Sequence, residues 1–507
     1  MKDKTTDISI LLVPLCIITF LSAMIFLFPD RAQIVIDGLH VFFVNNFGVF
    51  YIITGVFVLL CCIIIAGSKY GEIKLGELKQ PKYSNLKWGS MIFTATMAAD
   101  ILYWSLIEWG YYFSENPFGA ESLTVLQRQQ IASSYPLFHW GPIPWAFYIL
   151  PATAYAYMFF VKKAQRQSLS EACRPLLQGK TDRGLGKAID IVSVVGLLGG
   201  TATTFALTTP LMTEAINRLA GTSADTSLTI AVLLANGVIF TVAVLMGMKA
   251  IAWLAVAAVV AFAIVLGYVF ILGPSRFIIE SGVAAVGNVA QNFISMATWT
   301  DPLRMTGDGV SGFPQQWTTF YWAYWIAWFV ATPFFIAKIS EGRTVRQLIG
   351  GAFLYGISGT YTSFVVFGGF GLYQQVSGRV DAAGMLLDGV APSEVILQVL
   401  GQLPGHNLFF ALLIITMLAF YASTFDAITL VVAGFCRKSI NAEELPDKKL
   451  RIFWAGIFII LPIALIWAEG TLSMLQTISI IAAFPLAVIL LLIVFGFIKE
   501  LKSRRDE

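Results

Sequence analysis

The chain has 507 residues, of which 57% are hydrophobic and 12% charged, with a formal net charge of +3 and a mean hydropathy of +0.76. A soluble domain carries about 25% charged residues, so too little polar surface is available to cover a soluble particle of this size, and lipid must solvate much of it. The charge is small and no basic tract is dense, which excludes nucleic acid as a partner. Five cysteines, two of them adjacent at Cys61 and Cys62 in an apolar run, provide neither a disulfide framework nor metal-ligand spacing.

Twelve apolar runs follow one another at 9–29, 47–67, 88–113, 138–161, 189–213, 228–248, 251–273, 317–338, 345–373, 406–434, 451–468 and 474–498. Each is long enough, as a helix, to cross a hydrocarbon layer about 30 Å thick. The first is read as a span and not a cleavable signal, because it is long and has no clear small-x-small cleavage site. Basic residues gather in alternate loops: Lys69 to Lys87, Lys162 to Lys187, Lys338 to Arg346, and Arg437, Lys438, Lys448, Lys449 and Arg451. The other loops are poor in bases, with only Arg128 in 114–137 and only Arg379 in 374–405. This bias predicts both termini in the cytoplasm, with a tail after about residue 498 too short for a regulatory domain. The stretch 279–300 (Glu280, then Val283, Val286, Val289, Phe293, Ile294) is mildly amphipathic and interrupted by Gly282, Gly287 and Asn288. It predicts a short helix lying at the outer face.

Three spans carry signs of a broken helix, which lipid tolerates only where protein or a cavity surrounds it. "TATMAADILYWSLIEWGYY" (94–112) places Asp100 near half-depth and Glu108 further along; "FHWGPIPWAFY" (138–148) opens on Pro142 and Pro144; the eighth span contains Pro333. Any one proline is as readily a packing kink. A mid-membrane carboxylate must be paired, protonated or facing a polar cavity, so Asp100 is either a structural partner or a group that binds a cation or proton. His139, at the outer edge of its span, reads as a hydrogen-bonding strut.

The run "WTTFYWAYWIAW" (317–328) holds four tryptophans and two tyrosines and no charge. At helical spacing Tyr321, Trp325 and Trp328 share a face, and the rings continue too deep for an interfacial belt. The fourth span offers Trp140, Trp145 and Tyr148 opposite. Such rings either fill a core or form a cage, in which a quaternary ammonium gains from the ring quadrupoles without leaving donors unsatisfied.

"FHWGPIPWAFY" (138–148), "FPQQWTTFYWAYWIAW" (313–328) and "ISEGRTVRQ" (339–347) resemble signatures of the betaine/choline/carnitine transporter family (BCCT), and the resemblance runs over nearly the whole chain. It implies an all-α polytopic membrane protein with 12 transmembrane helices and a LeuT-like core of two inverted five-helix repeats. The boundaries it implies are 1–87 for two peripheral helices and a cytoplasmic loop, 88–275 for the first repeat, 276–315 for an external amphipathic segment, 316–498 for the second repeat and 499–507 for the tail. Family members are usually trimers in the cytoplasmic (inner) membrane and need no cofactor. The family's cage maps onto Trp140, Trp145, Tyr148 and Trp325, with Trp322 and Trp328 along the same path, and its unwound third helix onto Thr96-Met97-Ala98-Ala99-Asp100, where Met97 and Asp100 are substrate-site candidates. Substrate is expected to enter past Trp328 and Trp322.

Asp100 stands where sodium-coupled betaine carriers have glycine, as in carriers resembling the proton-driven choline type. The family's sodium site maps onto Thr201, the backbone near Ala331, and Ser423 and Thr424, but one of its threonines is Leu197 here, which weakens the case for sodium. An arginine expected on the seventh helix of the exchange type is absent from 250–262. The first reading is import of choline or a similar cation coupled to protons through Asp100. The second is uptake or exchange of carnitine, gamma-butyrobetaine or glycine betaine with little or no sodium dependence. A carrier of an unrelated solute on the same scaffold is a third. A membrane enzyme or a receptor is the alternative of another class; with three histidines and no HExxH, GxSxG or paired cysteines, the sequence offers no catalytic or metal constellation.

Overall fold

The computed structural model describes residues 6–96, 98–114, 123–164, 166–222, 225–305, 312–437 and 444–503. Met97, Lys438 and the tail beyond residue 503 lie outside the described residues. Among the described residues the chain is helical without strands. In order, the helices are α1 (Ile8–Leu27), α2 (Pro29–Gly67), α3 (Asn85–Thr94), α4 (Ala99–Ser114), α5 (Val125–His139), α6 (Pro142–Phe160), α7 (Leu169–Ala172), α8 (Arg174–Leu177), α9 (Gly184–Ala220), α10 (Thr226–Met246) and α11 (Met248–Leu272). They continue as α12 (Ser275–Thr298), α13 (Thr319–Trp328), α14 (Thr332–Lys338), α15 (Val345–Ser363), α16 (Gly369–Val376), α17 (Ala382–Leu387), α18 (Pro392–Leu400), α19 (His406–Phe435), α20 (Lys448–Trp467) and α21 (Leu472–Ser503).

Nine helices among the described residues, counting α5 with α6 as one, are long and apolar enough to cross a membrane, and two bent pairs bring the number to eleven. The remaining expected span, 345–373, is helical as α15, a π-helical turn at Phe364–Gly368, and α16. Its Gly350, Gly351, Ser358, Thr360, Thr362 and Ser363 make it less apolar than the others. On α11, Trp253, Val256, Val260, Ile264 and Ile271 are exposed, as expected where lipid replaces water.

The two bent pairs are α3 with α4, at 63°, and the Pro314–Trp328 helix with α14, at 53°. They open the third and eighth expected spans, which the family resemblance makes the first helix of each expected repeat. Pro333 sits in the first turn of α14, where its missing N–H leaves no bond unmade, so the chain breaks at 329–331. The same logic governs the fourth span. Gly141 is the N-cap of α6 and Pro142 its first residue, so the break falls at Trp140-Gly141, ahead of both prolines.

Two expectations are revised. α2 has 39 residues, about 58 Å at 1.5 Å per residue, and begins at Pro29, so no outer loop separates it from the first span as the run 47–67 implied. The outer segment is one helix of 24 residues, α12, uninterrupted by its glycines. Its buried face is Ile278, Ser281, Gly282, Ala285 and Val289, whereas Val283, Val286 and Ile294 are exposed. Gly282 is a packing position: a Cβ there would lie 2.5 Å from Val365 Cγ1 in the π-helical turn.

The link 339–344 is pinned to the loop before α3. Leu75 N–H donates to Arg343 O at 2.8 Å, and Val345 N–H to Ile73 O at 2.9 Å. The Arg343 guanidinium lies 3.9 Å from the Trp88 ring centre and donates to Asn85 Oδ1 at 2.9 Å and Tyr83 O at 3.0 Å. Thr344 and Gln347 form a capping box that starts α15.

Candidate functional site

Both helix breaks open on one cavity of about 410 Å³. Its walls come from the α3–α4 junction (Thr94, Thr96, Asp100), from α6 and the residue before it (Trp140, Trp145, Tyr148), from α13 and α14 (Tyr324, Trp325, Trp328, Lys338), from α11 (Ala255, Ala258, Val259) and from α19 (Ser423, Thr424, Asp426). Irregular backbone is therefore placed where a cavity surrounds it, as the membrane requires.

Four rings meet around Trp325. Its centroid is 4.7 Å from Tyr148, 5.3 Å from Trp140 and 5.6 Å from Trp145, at interplanar angles of 45°, 61° and 64°. Trp145 and Tyr148 are 5.9 Å apart, near perpendicular. Tilted faces at this spacing present π surface from several directions, the requirement for holding a cation without hydrogen-bond donors. The wall behind Trp145 is Gly356 of α15: a Cβ there would come within 2.7–2.8 Å of three indole atoms, so only glycine lets the ring lie against the helix.

Trp328 lines the cavity one turn beyond Trp325, toward Lys338. Trp322 is turned away from the cavity. It packs on Phe138 at 5.4 Å and Phe147 at 6.3 Å, with its Nε1 edge against Gly55 of α2.

Asp100 is half-buried and faces the cavity. Its Oδ1 accepts from Ile101 N–H at 2.9 Å and its Oδ2 from the Tyr324 hydroxyl at 3.2 Å; Tyr324 in turn hydrogen-bonds Thr204 of α9. The spacing of 224 residues between Asp100 and Tyr324 hid this pair from sequence reading. Of the ion-site candidates, Ala331, Ser423 and Thr424 line the cavity. Thr201 is buried away from it and donates to Leu197 O at 2.8 Å and Leu198 O at 3.1 Å. The Ser423 hydroxyl is likewise committed to Phe420 O at 2.9 Å. Among the described residues, no group of three or more His, Cys, Asp or Glu side chains is placed to hold a metal ion.

Sequence reading passed over two charged cavity residues. Lys338 lines the far end and donates to Gln167 Oε1 at 2.8 Å. Asp426 lines it from α19 and is paired with Arg451 of α20. Lys338 closes α14, where a basic residue reads as ordinary surface charge, whereas Asp426 lies inside α19 in an apolar stretch and was legible as an acid within a span. His139 is the expected strut, bonded to Tyr112 and Thr318.

A multi-span helical protein with broken helices converging on an aromatic cavity is built to carry a small solute across a membrane. The chain matches the betaine/carnitine/choline transporter family over residues 9–506, and it belongs to that family. It is 31% identical over 453 residues to the uncharacterized transporter YeaV of Escherichia coli K12, covering 87% of this chain and 90% of that one. It is 30% identical over 446 residues to a carnitine transporter of Acinetobacter baumannii (86% and 78% covered). A probable glycine betaine transporter of Desulfitobacterium hafniense is 30% identical over 489 residues (94% and 93% covered). Among solved structures, a sodium-coupled sialic acid symporter in a substrate-bound outward-open state aligns with a TM-score of 0.45 at 12% identity, over 89% of this chain and 87% of that one.

Proposed function

We propose that this transporter imports a cationic quaternary ammonium compound of the choline type, coupled to protons through Asp100. The observation that carries the reading is that an acid and four rings share one cavity: Asp100 faces the same space as Trp140, Trp145, Tyr148 and Trp325. The rings take the methyl groups and the delocalised charge, and the carboxylate offsets that charge directly or through water. Tyr324 holds the carboxylate in place by donating to Oδ2. Sodium has less support, because Leu197 stands where the family's site has a threonine and Thr201 is not among the residues lining the cavity. The helix bundles rock about this central site, one break in each half, in the alternating-access manner of inverted repeats. The basic loops favour both termini on the cytoplasmic side of a bacterial cytoplasmic (inner) membrane, and family resemblance favours a homotrimer.

A second reading, uptake or exchange of carnitine, gamma-butyrobetaine or glycine betaine, draws support from two relatives named for carnitine and glycine betaine. It also draws on the cavity. The indole N–H groups of Trp325 and Trp328 are buried without an acceptor among the described residues, and Lys338 lines the far end; a substrate carboxylate would satisfy such donors.

Competition binding on purified protein, with choline, carnitine, gamma-butyrobetaine and glycine betaine at several pH values, separates the two. The first reading expects choline to bind best and to weaken as pH falls and Asp100 is protonated. Preference for the zwitterions over choline at every pH defeats it. Uptake into vesicles under imposed proton or sodium gradients, and counterflow, then separate symport from exchange.

A further inference from the structure

Behind Trp140, on the side away from the cavity, lies a row of buried polar side chains that the transport cycle above does not use. His139 Nε2 is 3.1 Å from Thr318 Oγ1, and His139 Nδ1 is 2.8 Å from the Tyr112 hydroxyl. Tyr112 donates to Glu108 Oε1 at 2.7 Å, and Trp140 Nε1–H donates to Glu108 Oε2 at 2.7 Å. With a neutral His139 carrying its proton on Nδ1, every donor meets one acceptor. Thr318 donates to His139, His139 to Tyr112, Tyr112 to one carboxylate oxygen, and the Trp140 indole to the other. Glu108 and His139 are fully buried, with His139 Nδ1 3.4 Å from Glu108 Oε1.

Trp140 sits at a place where the backbone does little to fix its ring. It caps the end of α5 at φ −118°, ψ 21°, immediately before the Gly141 N-cap of α6. Its cage neighbours are held differently: the Trp325 N–H has no partner among the described residues, and the Trp145 N–H reaches Thr360 Oγ1 only at 3.5 Å. Trp140 is thus the cage ring anchored by a short hydrogen bond to a carboxyl group. A carboxylate at the indole N–H edge also pushes electron density toward the ring, whose face attracts the cation.

Resting on the reading of the cage as a quaternary-ammonium site, we propose that Glu108 is a positioning residue for it. Through the Trp140 N–H, Glu108 sets the orientation of the indole and strengthens the π face that meets the ammonium. Substrate does not touch Glu108, which acts on affinity and on the preference for charge.

The test is a double-mutant cycle with Glu108→Leu, Glu108→Gln and Trp140→Phe, measuring affinity for choline and for its uncharged carbon isostere, 3,3-dimethylbutan-1-ol, on detergent-purified protein. Glu108→Leu is expected to weaken choline about tenfold, the scale of a lost cation–π contribution of about 1.4 kcal/mol, and to weaken the isostere about twofold or less. In the Trp140→Phe background, where no N–H exists, Glu108→Leu should change choline affinity by about twofold or less. Glu108→Gln, which keeps an acceptor without the charge, should fall between wild type and Glu108→Leu. Additive effects of Glu108→Leu and Trp140→Phe, or equal losses for choline and isostere, would overturn the role of Glu108. If Glu108→Leu does not fold, the cycle run with Glu108→Gln decides by the same additivity rule. A folded wild type that binds no quaternary ammonium overturns the cage reading itself, an outcome distinct from a wild type that binds while the cycle is additive.

Discussion

Gly356→Ala tests whether the cage is a shaped surface or simple filling. The added Cβ would lie 2.7 Å from Trp145 Cε3 and 2.8 Å from Cδ2 and Cε2, whereas carbon atoms rest at about 3.5–4.0 Å. All three contacts are with a rigid indole, so the ring must move by about 1 Å or α15 must retreat by as much. Trp145 stands 5.6 Å from Trp325 and 5.9 Å from Tyr148, leaving no slack on its other face. Overpacking of this kind costs about 1–3 kcal/mol. If the ring relieves it by moving into the cage, affinity for a quaternary ammonium falls by about 5- to 150-fold. Isothermal titration with choline and with glycine betaine measures the loss. The paired variant Trp145→Phe supplies the control: the smaller ring leaves room for the methyl, so Gly356→Ala in that background should change affinity by about threefold or less. Wild-type affinity in Gly356→Ala, or an undiminished loss in the Trp145→Phe background, would refute the reasoning.

Trp325→Leu keeps an apolar side chain but removes the ring that touches three others, and is expected to weaken choline about 30-fold, about 2 kcal/mol of cation–π attraction. Competition against the uncharged isostere should show that ligand nearly unaffected. Asp100→Asn is expected to abolish choline binding while sparing zwitterions, and Tyr324→Phe, which removes the donor to Oδ2, to raise the pH at which choline binding is lost; both are read from binding curves between pH 5 and 9, an interval of about four units spanning the range where buried carboxylates titrate. Arg343→Ala removes the guanidinium stacked on Trp88 together with its bonds to Asn85 and Tyr83, and should lower stability by about 2 kcal/mol or more. A drop in melting temperature in detergent, with substrate affinity kept within about twofold, is the expected pattern.

The spans were legible because a bilayer imposes length and apolarity on any crossing helix, and Pro142 and Pro333 fall at breaks because proline is best accommodated in a helix's first turn, although Pro151, Pro210 and Pro462 lie inside continuous helices. The four cage rings were legible because tryptophans repeated at helical spacing on two segments can face one another. Periodicity could not tell which stripe of a ring-rich helix faces the cavity, so Trp322 and Trp325, one turn apart, could not be told from each other. Only tertiary packing turns Trp322 toward Gly55. Gly282 and Gly356 illustrate the same limit in small residues. A glycine that breaks a helix and one that admits a neighbouring side chain are the same letter, and the difference lies in Val365 and Trp145, far away in sequence. The Glu108 row escaped for a related reason: its members are unremarkable singly and become a chain of bonds only once α4, α5 and the start of the eighth span are brought together.

The clasp between residues 339–345 and the segment from Ile73 to Trp88 has a mechanical consequence. It ties the end of one broken helix to the start of the other, through main-chain pairing and a guanidinium laid on an indole. α14 and α3 are therefore joined by a route that does not cross the cavity, so a shift of one helix end is constrained by the other.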